Sequence, residues 1–188
     1  MVGRLNPGSS AMRKPLLVLS ALLALGLLAF VPARPSAADV TRAKELLARL
    51  AGNWDYEFTM AGMPPMKGSE TIKAMPHGLS VVVTSTADMG PMGPFEGHGL
   101  MGFDSKSGKW LQVWTDNTDP KFSVNEGHWS EDGTTFTVED EVDMGMGPQA
   151  TVMATRITGP DGMAFTMRAK DAPEGSAAVM TMTYTRKR

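Results

Sequence analysis

Cysteine is absent from all 188 residues. That excludes disulfides, a thiolate nucleophile and a lipid anchor attached through a cleavage-site cysteine. Histidine is scarce, with three in the chain. His77, His98 and His128 share no i, i+4 spacing, and no His-Glu-x-x-His run occurs, so no helical zinc site is written here. No Gly-x-Ser-x-Gly elbow is present either, and no catalytic residue is nominated. The acidic run Glu139-Asp140-Glu141-Val142-Asp143 lacks the calcium-loop pattern and reads as a solvated strand end.

No acidic residue precedes Asp39, whereas Arg13 and Lys14 stand just before an apolar stretch, Leu16 to Val31. That stretch is shorter than the ~20 residues of a membrane-spanning helix. Pro32 to Pro35 break it, and Ser36-Ala37-Ala38 offers small residues to a signal peptidase. The layout is that of a cleaved secretory signal over 1–38, with Met12 as an alternative start. Residues 39–188 then form a single domain in the periplasm or outside the cell, with no stable membrane anchor after cleavage. Four of the 18 basic residues and none of the 20 acidic ones lie before Asp39, so the remainder carries a formal charge of −6. An acidic surface repels phosphate backbones, which argues against a nucleic-acid partner.

Asp39 to Ala51 reads as one amphipathic helix, with Asp39 or Thr41 as N-cap. From Gly52 the period becomes two and stays so. Trp54, Tyr56, Phe58 and Met60 alternate with polar residues. Further strands are expected over 69–75, 79–87, 95–103, 109–115, 122–130, 134–142, 150–158, 163–169 and 178–186. Short turns join most of them, and 61–68 and 89–94 read as longer loops. About ten strands in sequence order, with no helix between them, predict an all-β, antiparallel up-and-down barrel with one short N-terminal helix.

Leu47-x-x-Leu50-x-Gly52-x-Trp54, the run Pro94-Phe95-Glu96-Gly97-x-Gly99-x-x-Gly102-Phe103-Asp104, Trp110-x-x-x-Trp114-x-Asp116 and Tyr184-x-Arg186 resemble the exported bacterial family known as domain of unknown function 1579. That resemblance spans 39–188 and implies no activity. Gly52-Asn53-Trp54 is also similar to the opening of lipocalin and fatty-acid-binding barrels. In such barrels a basic residue of the last strand lies over the tryptophan, which implies a structural pair of Trp54 and Arg186.

Gly97-x-Gly99-x-x-Gly102 matches a dinucleotide fingerprint in letters, but a strand follows it rather than a helix. The glycines read as a bend or a bulge, and no cofactor is implied. Trp110, Gln112 and Trp114 share one strand face, aromatic with a polar handle. With His98 they make the candidate ligand-binding set for a small apolar or amphipathic molecule. Two alternatives belong to another class. A haem could be held by His98 or His128, or Cu(I) by Met60-x-x-Met63-x-x-Met66, Met89-x-x-Met92 and Met144-x-Met146, with His77 beside Met75. The loop methionines otherwise read as a pliable rim, and Met163, Met167, Met180 and Met182 as core. A barrel enzyme without a recognisable motif is the remaining alternative.

Overall fold

A computed structural model describes residues 34–60, 62–119, 121–143, 147–173 and 175–188. The expected signal segment Leu16–Val31 and the Met144/Met146 pair lie outside the described residues. Helix α1 spans Ala37–Leu50. Its N-cap is Ser36, whose hydroxyl accepts from the Asp39 amide while the Asp39 carboxylate accepts from the Ser36 amide at 2.8 Å. This capping box corrects the expected caps, Asp39 and Thr41. The reason is that an acidic residue at N3 serves the preceding turn as well as a serine cap does.

Ten strands follow: β1 Gly52–Met60, β2 Met66–Ala74, β3 Ser80–Asp88, β4 Pro94–Asp104 and β5 Lys109–Asp116, then β6 Ser123–Trp129, β7 Thr135–Asp143, β8 Pro148–Gly159, β9 Gly162–Ala169 and β10 Met180–Arg186. All neighbours pair antiparallel in sequence order, and β10 closes on β1. The predicted barrel is the observed one. Strand β2 begins three positions earlier than expected, so the 61–68 loop is shorter. The 89–94 connection contains one 3-10 turn at Gly90–Met92.

The two ends of the barrel differ. Helix α1 lies across one, burying Ala43, Leu46, Leu47 and Leu50. Arg42 and Arg49 donate to the carbonyls of Ser130, Glu131 and Gly133 in the β6–β7 turn, fixing the helix there. Trp54, fully buried, donates from Nε1 to Leu50 O at 2.9 Å. The Arg186 guanidinium stands 4.0 Å from the Trp54 ring centroid and donates to Ala51 O and Arg49 O. One cation thus covers an indole and meets the negative end of α1, joining both chain ends of the barrel. The opposite end is bounded by the β1–β2, β3–β4 and β5–β6 connections, and among the described residues no α-helix lies over it.

Candidate functional site

Side-chain alternation sorts every strand into an inward and an outward face. On β1 the inward set is Trp54, Tyr56, Phe58 and Met60. Cross-strand register carries that face to Gly68, Glu70 and Ile72 on β2, and to Val83, Ser85 and Ala87 on β3. Glu70 is therefore an inward carboxyl, set between Trp54 on one side and Ser85 on the other.

The chain has two tyrosines, and both stand beside Glu70. Tyr56 and Tyr184 are register partners on β1 and β10, with ring centroids 5.3 Å apart. The Tyr56 hydroxyl lies 3.0 Å from Ser85 Oγ and donates to Thr86 O at 3.1 Å. Gly68 makes room for that ring, because a Cβ there would lie 2.2 Å from Tyr56 Cζ. The Tyr184 hydroxyl donates to Met182 Sδ at 3.4 Å and lies beside the Glu70 carboxylate. Burial raises the Glu70 carboxyl from its ordinary value to about 7, against the pull of hydrogen bonds from Ser85 and Tyr184. Burial also raises both tyrosines, Tyr184 well above its usual range, with the Glu70 charge adding to the effect.

No ion pair reaches Glu70 among the described residues. Lys67 and Lys73 on β2, Lys109 on β5, Arg156 on β8 and Arg168 on β9 all occupy outward positions of their strands. Arg186 has inward parity, but its guanidinium is committed to backbone carbonyls at the capped end.

Away from the helix, methionines line the inner wall across β1, β2, β8, β9 and β10. Met60, Met180, Met167 and Met153 are successive register partners across β1, β10, β9 and β8. Cross-strand neighbours of this kind have Cβ atoms ~4.5–5.5 Å apart. Met60, Met66, Met153, Met180 and Met182 are only partly buried, whereas Met167 and Phe58 on the same wall are buried. Met60 is thus a strand residue as expected, and Met66 is a strand residue facing inward rather than part of a loop.

The expected ligand set divides. Trp110 packs against Phe103, Trp129 and Phe136 with centroids 5.3–6.2 Å apart, an aromatic core near the capped end. Trp114 lies flat over β4: a Cβ at Gly97 would come within 2.4 Å of its Cζ2, and one at Gly99 within 2.8 Å of its Cε3. Its indole donates to Asp116 at 2.9 Å. The glycines of β4 therefore seat an indole. The expected bulge is corrected, since pairing through them is continuous on both sides and the irregularity lies at Ile157/Gly159. Gln112 faces inward opposite Met101.

His98 does not join this set. It is exposed on the outer wall, 3.1 Å from Glu96. His128 is exposed on the outward face of β6, so neither histidine is placed to hold a haem inside. His77 sits in the β2–β3 turn with Nδ1 accepting from Leu79 N. That turn is the length of β2 from Met66, roughly 26 Å at ~3.3 Å per residue. Leu111 lies outside, near an apolar stripe of the register partners Val82, Leu100, Val113 and Val124, exposed except at the half-buried Val113. A shallow groove of about 530 Å3 also crosses the outer wall near Lys67, Thr86 and Glu96, and there Lys187 and Asp55 pair at 2.7 Å.

Sequence reasoning missed Glu70 and its tyrosines. The signal was present: 67, 69, 71 and 73 of β2 are all polar, so 66, 68, 70 and 72 must face inward, and Glu70 is the charged residue among them.

Comparison with solved structures places the fold. The Rv2717c protein of M. tuberculosis is 18% identical, with a TM-score of 0.53 over 78% of this chain and 98% of that one. The S-type phycobiliprotein lyase CPES of Guillardia theta is 13% identical, with a TM-score of 0.49 over 82% of this chain and 99% of that one. At 18% identity the likeness to the first extends to the fold alone. No curated protein matches the chain. The model of a family described as proteins of unknown function, DUF1579, matches residues 40–186, and to that family the chain belongs.

Proposed function

We propose that this protein is exported and holds a small apolar or amphipathic molecule inside the open half of its barrel, without catalysing a reaction. One observation carries the reading. Met60, Met66, Met153, Met180 and Met182 are apolar and line the inner wall, yet keep accessible surface. An inward side chain that is still accessible faces space within the barrel or at its mouth. Thioether side chains, unbranched and polarizable, adapt to ligands of varied shape. An environment-sensitive apolar probe is expected to bind the folded protein and quench tryptophan fluorescence. Trp114→Ala should weaken that binding by ~1–3 kcal/mol, and Leu111→Ala should leave it unchanged. Leu100→Ser controls for adsorption on the outer stripe. Absence of quenching, or equal loss in all three variants, contradicts the reading.

Export through a cleaved signal is part of the proposal. Its support is the arrangement of Arg13, Lys14, Leu16–Val31 and Ser36-Ala37-Ala38. N-terminal sequencing of protein recovered outside the cytoplasm should begin within a residue or two of Asp39. A chain that retains Leu16–Val31 would contradict it.

The row Met60–Met180–Met167–Met153 favours a second reading, since adjacent thioethers suit Cu(I). Titration against a competing chelator tests it. Tight Cu(I) binding lost in Met180→Leu supports the metal, and negligible binding by the unmodified protein removes it.

A further inference from the structure

We propose that Glu70 selects the polar head of the ligand, so that the barrel takes amphipathic cations, an alkyl chain bearing an ammonium group, in preference to fatty acids or alcohols. The inference rests on the lumen reading and adds a specificity to it.

The argument begins from placement. Glu70 projects inward from the second strand with Trp54 on one flank and Ser85 on the other. Tyr56 and Tyr184 complete its surroundings from β1 and β10. The groups that the register and the hydrogen-bonding partners set beside it are aromatic rings and hydroxyls, and among the described residues no cation pairs with it. A carboxyl in such a place is costly unless it is protonated or meets a positive charge. The described residues supply no such charge, and a ligand can.

The neighbours suit an ammonium. Aromatic faces attract cations, more strongly where water is excluded, and the two tyrosine rings stand beside the carboxyl. The hydroxyls of Ser85 and Tyr184 stand beside the carboxylate and favour its ionised form. The inner face as a whole points the same way. Glu70 and, toward the open end, Asp116 and Asp140 are its acidic members, against Arg186 bound to backbone at the far end. A fatty acid placed here would set a second carboxylate against Glu70 with no cation between them. The methionine wall across β8, β9 and β10 receives the alkyl chain.

The pH behaviour follows with a definite sign. Without ligand the Glu70 carboxyl titrates at about 7, so an arriving cation displaces a proton and binds better as pH rises. The groups facing Glu70 do not mask this. Tyr56 and Tyr184 are pushed up and stay neutral, and Trp54 and Ser85 do not titrate in this range. Asp116 is held below the usual carboxylate range by hydrogen bonds from Thr118, Asp119 and Trp114, which outweigh its partial burial.

The test uses three twelve-carbon probes below their micelle concentrations: dodecyltrimethylammonium, dodecanol and dodecanoate. Affinities are measured by calorimetry at pH 5.5 and pH 8. At pH 8 the cation is expected to bind at least tenfold tighter than either other probe. Its affinity should rise about tenfold between the two pH values, with proton release that scales with buffer ionisation enthalpy. In Glu70→Gln the preference and the pH dependence should both disappear while dodecanol binding stays. If dodecanoate or dodecanol matches the cation, or if Glu70→Gln keeps the cation preference, the head-group assignment is wrong and the lumen reading stands. If no probe binds, both fall. Proton release by the unmodified protein keeps the test decisive should the variant fold poorly.

Discussion

The capped and open halves of this barrel are built from the same alternating strands but filled by different rules. At the capped end Trp54, Val81 and Leu47 are at most 1% exposed, and Phe136, Ile157 and Met163 are nearly as closed. Branched and aromatic side chains interlock there under α1, as in any well-packed interior. In the other half inward methionines on β1, β2, β8 and β10 stay partly accessible, and the Glu70 carboxyl with its two tyrosines stands between them and Trp54 on β1, β2 and β10. Close packing is concentrated where the helix covers the barrel, and accessible methionines where it does not.

The largest effect should come from the capped half. Trp54→Ala removes a fully buried indole and its bond to Leu50 O, and a cost of about 3–5 kcal/mol is expected in denaturant melts. Arg186→Ala should cost less, and the double variant less than the sum, because the two share the cation–π contact. Strict additivity would show that the two chain ends of the barrel are not coupled through this pair.

Glu70→Gln comes next and sharpens the boundary. The carboxyl binds its proton more tightly folded than unfolded, so its contribution is most favourable below about pH 4.5 and declines as pH rises to about 7. The variant should therefore gain stability over the unmodified protein between pH 5 and pH 8, by about 3 kcal/mol at most. Parallel pH profiles of the melting temperature would place Glu70 in water rather than in the interior.

The sequence made the strands legible because their alternation is regular and turns separate them. The barrel followed from strand count and order. The site was harder to read, for reasons visible in β4. Glycines occupy inward positions 97 and 99 to admit Trp114 from the next strand, so the inner face of β4 carries no hydropathy there. Leu100 beside His98 then imitates an inward face, although both point out. The methionine row was hidden for another reason: its four members come from four strands and meet only through register. In β2 the obstacle was a boundary. Starting the strand at Ser69 discards Met66 and Lys67, the residues whose contrast shows which way Glu70 faces.

The smallest effect concerns α1. Cleavage at Asp39 removes Ser36 and with it the capping box, and a chain starting there should be about 1 kcal/mol less stable than one starting at Arg34. Equal stability would show that the cap adds nothing beyond the packing of Leu46, Leu47 and Leu50.

Methyl NMR of methionine-labelled protein compares the two halves in one spectrum, because both contain methionines. On addition of dodecyltrimethylammonium, the methyls of Met60, Met153, Met180 and Met182 should shift together in a saturable way. Those of Met101 and Met163, buried in the capped half, should stay still. Shifts spread evenly over all six, or none that saturate, would contradict a barrel divided into a packed end and a binding end.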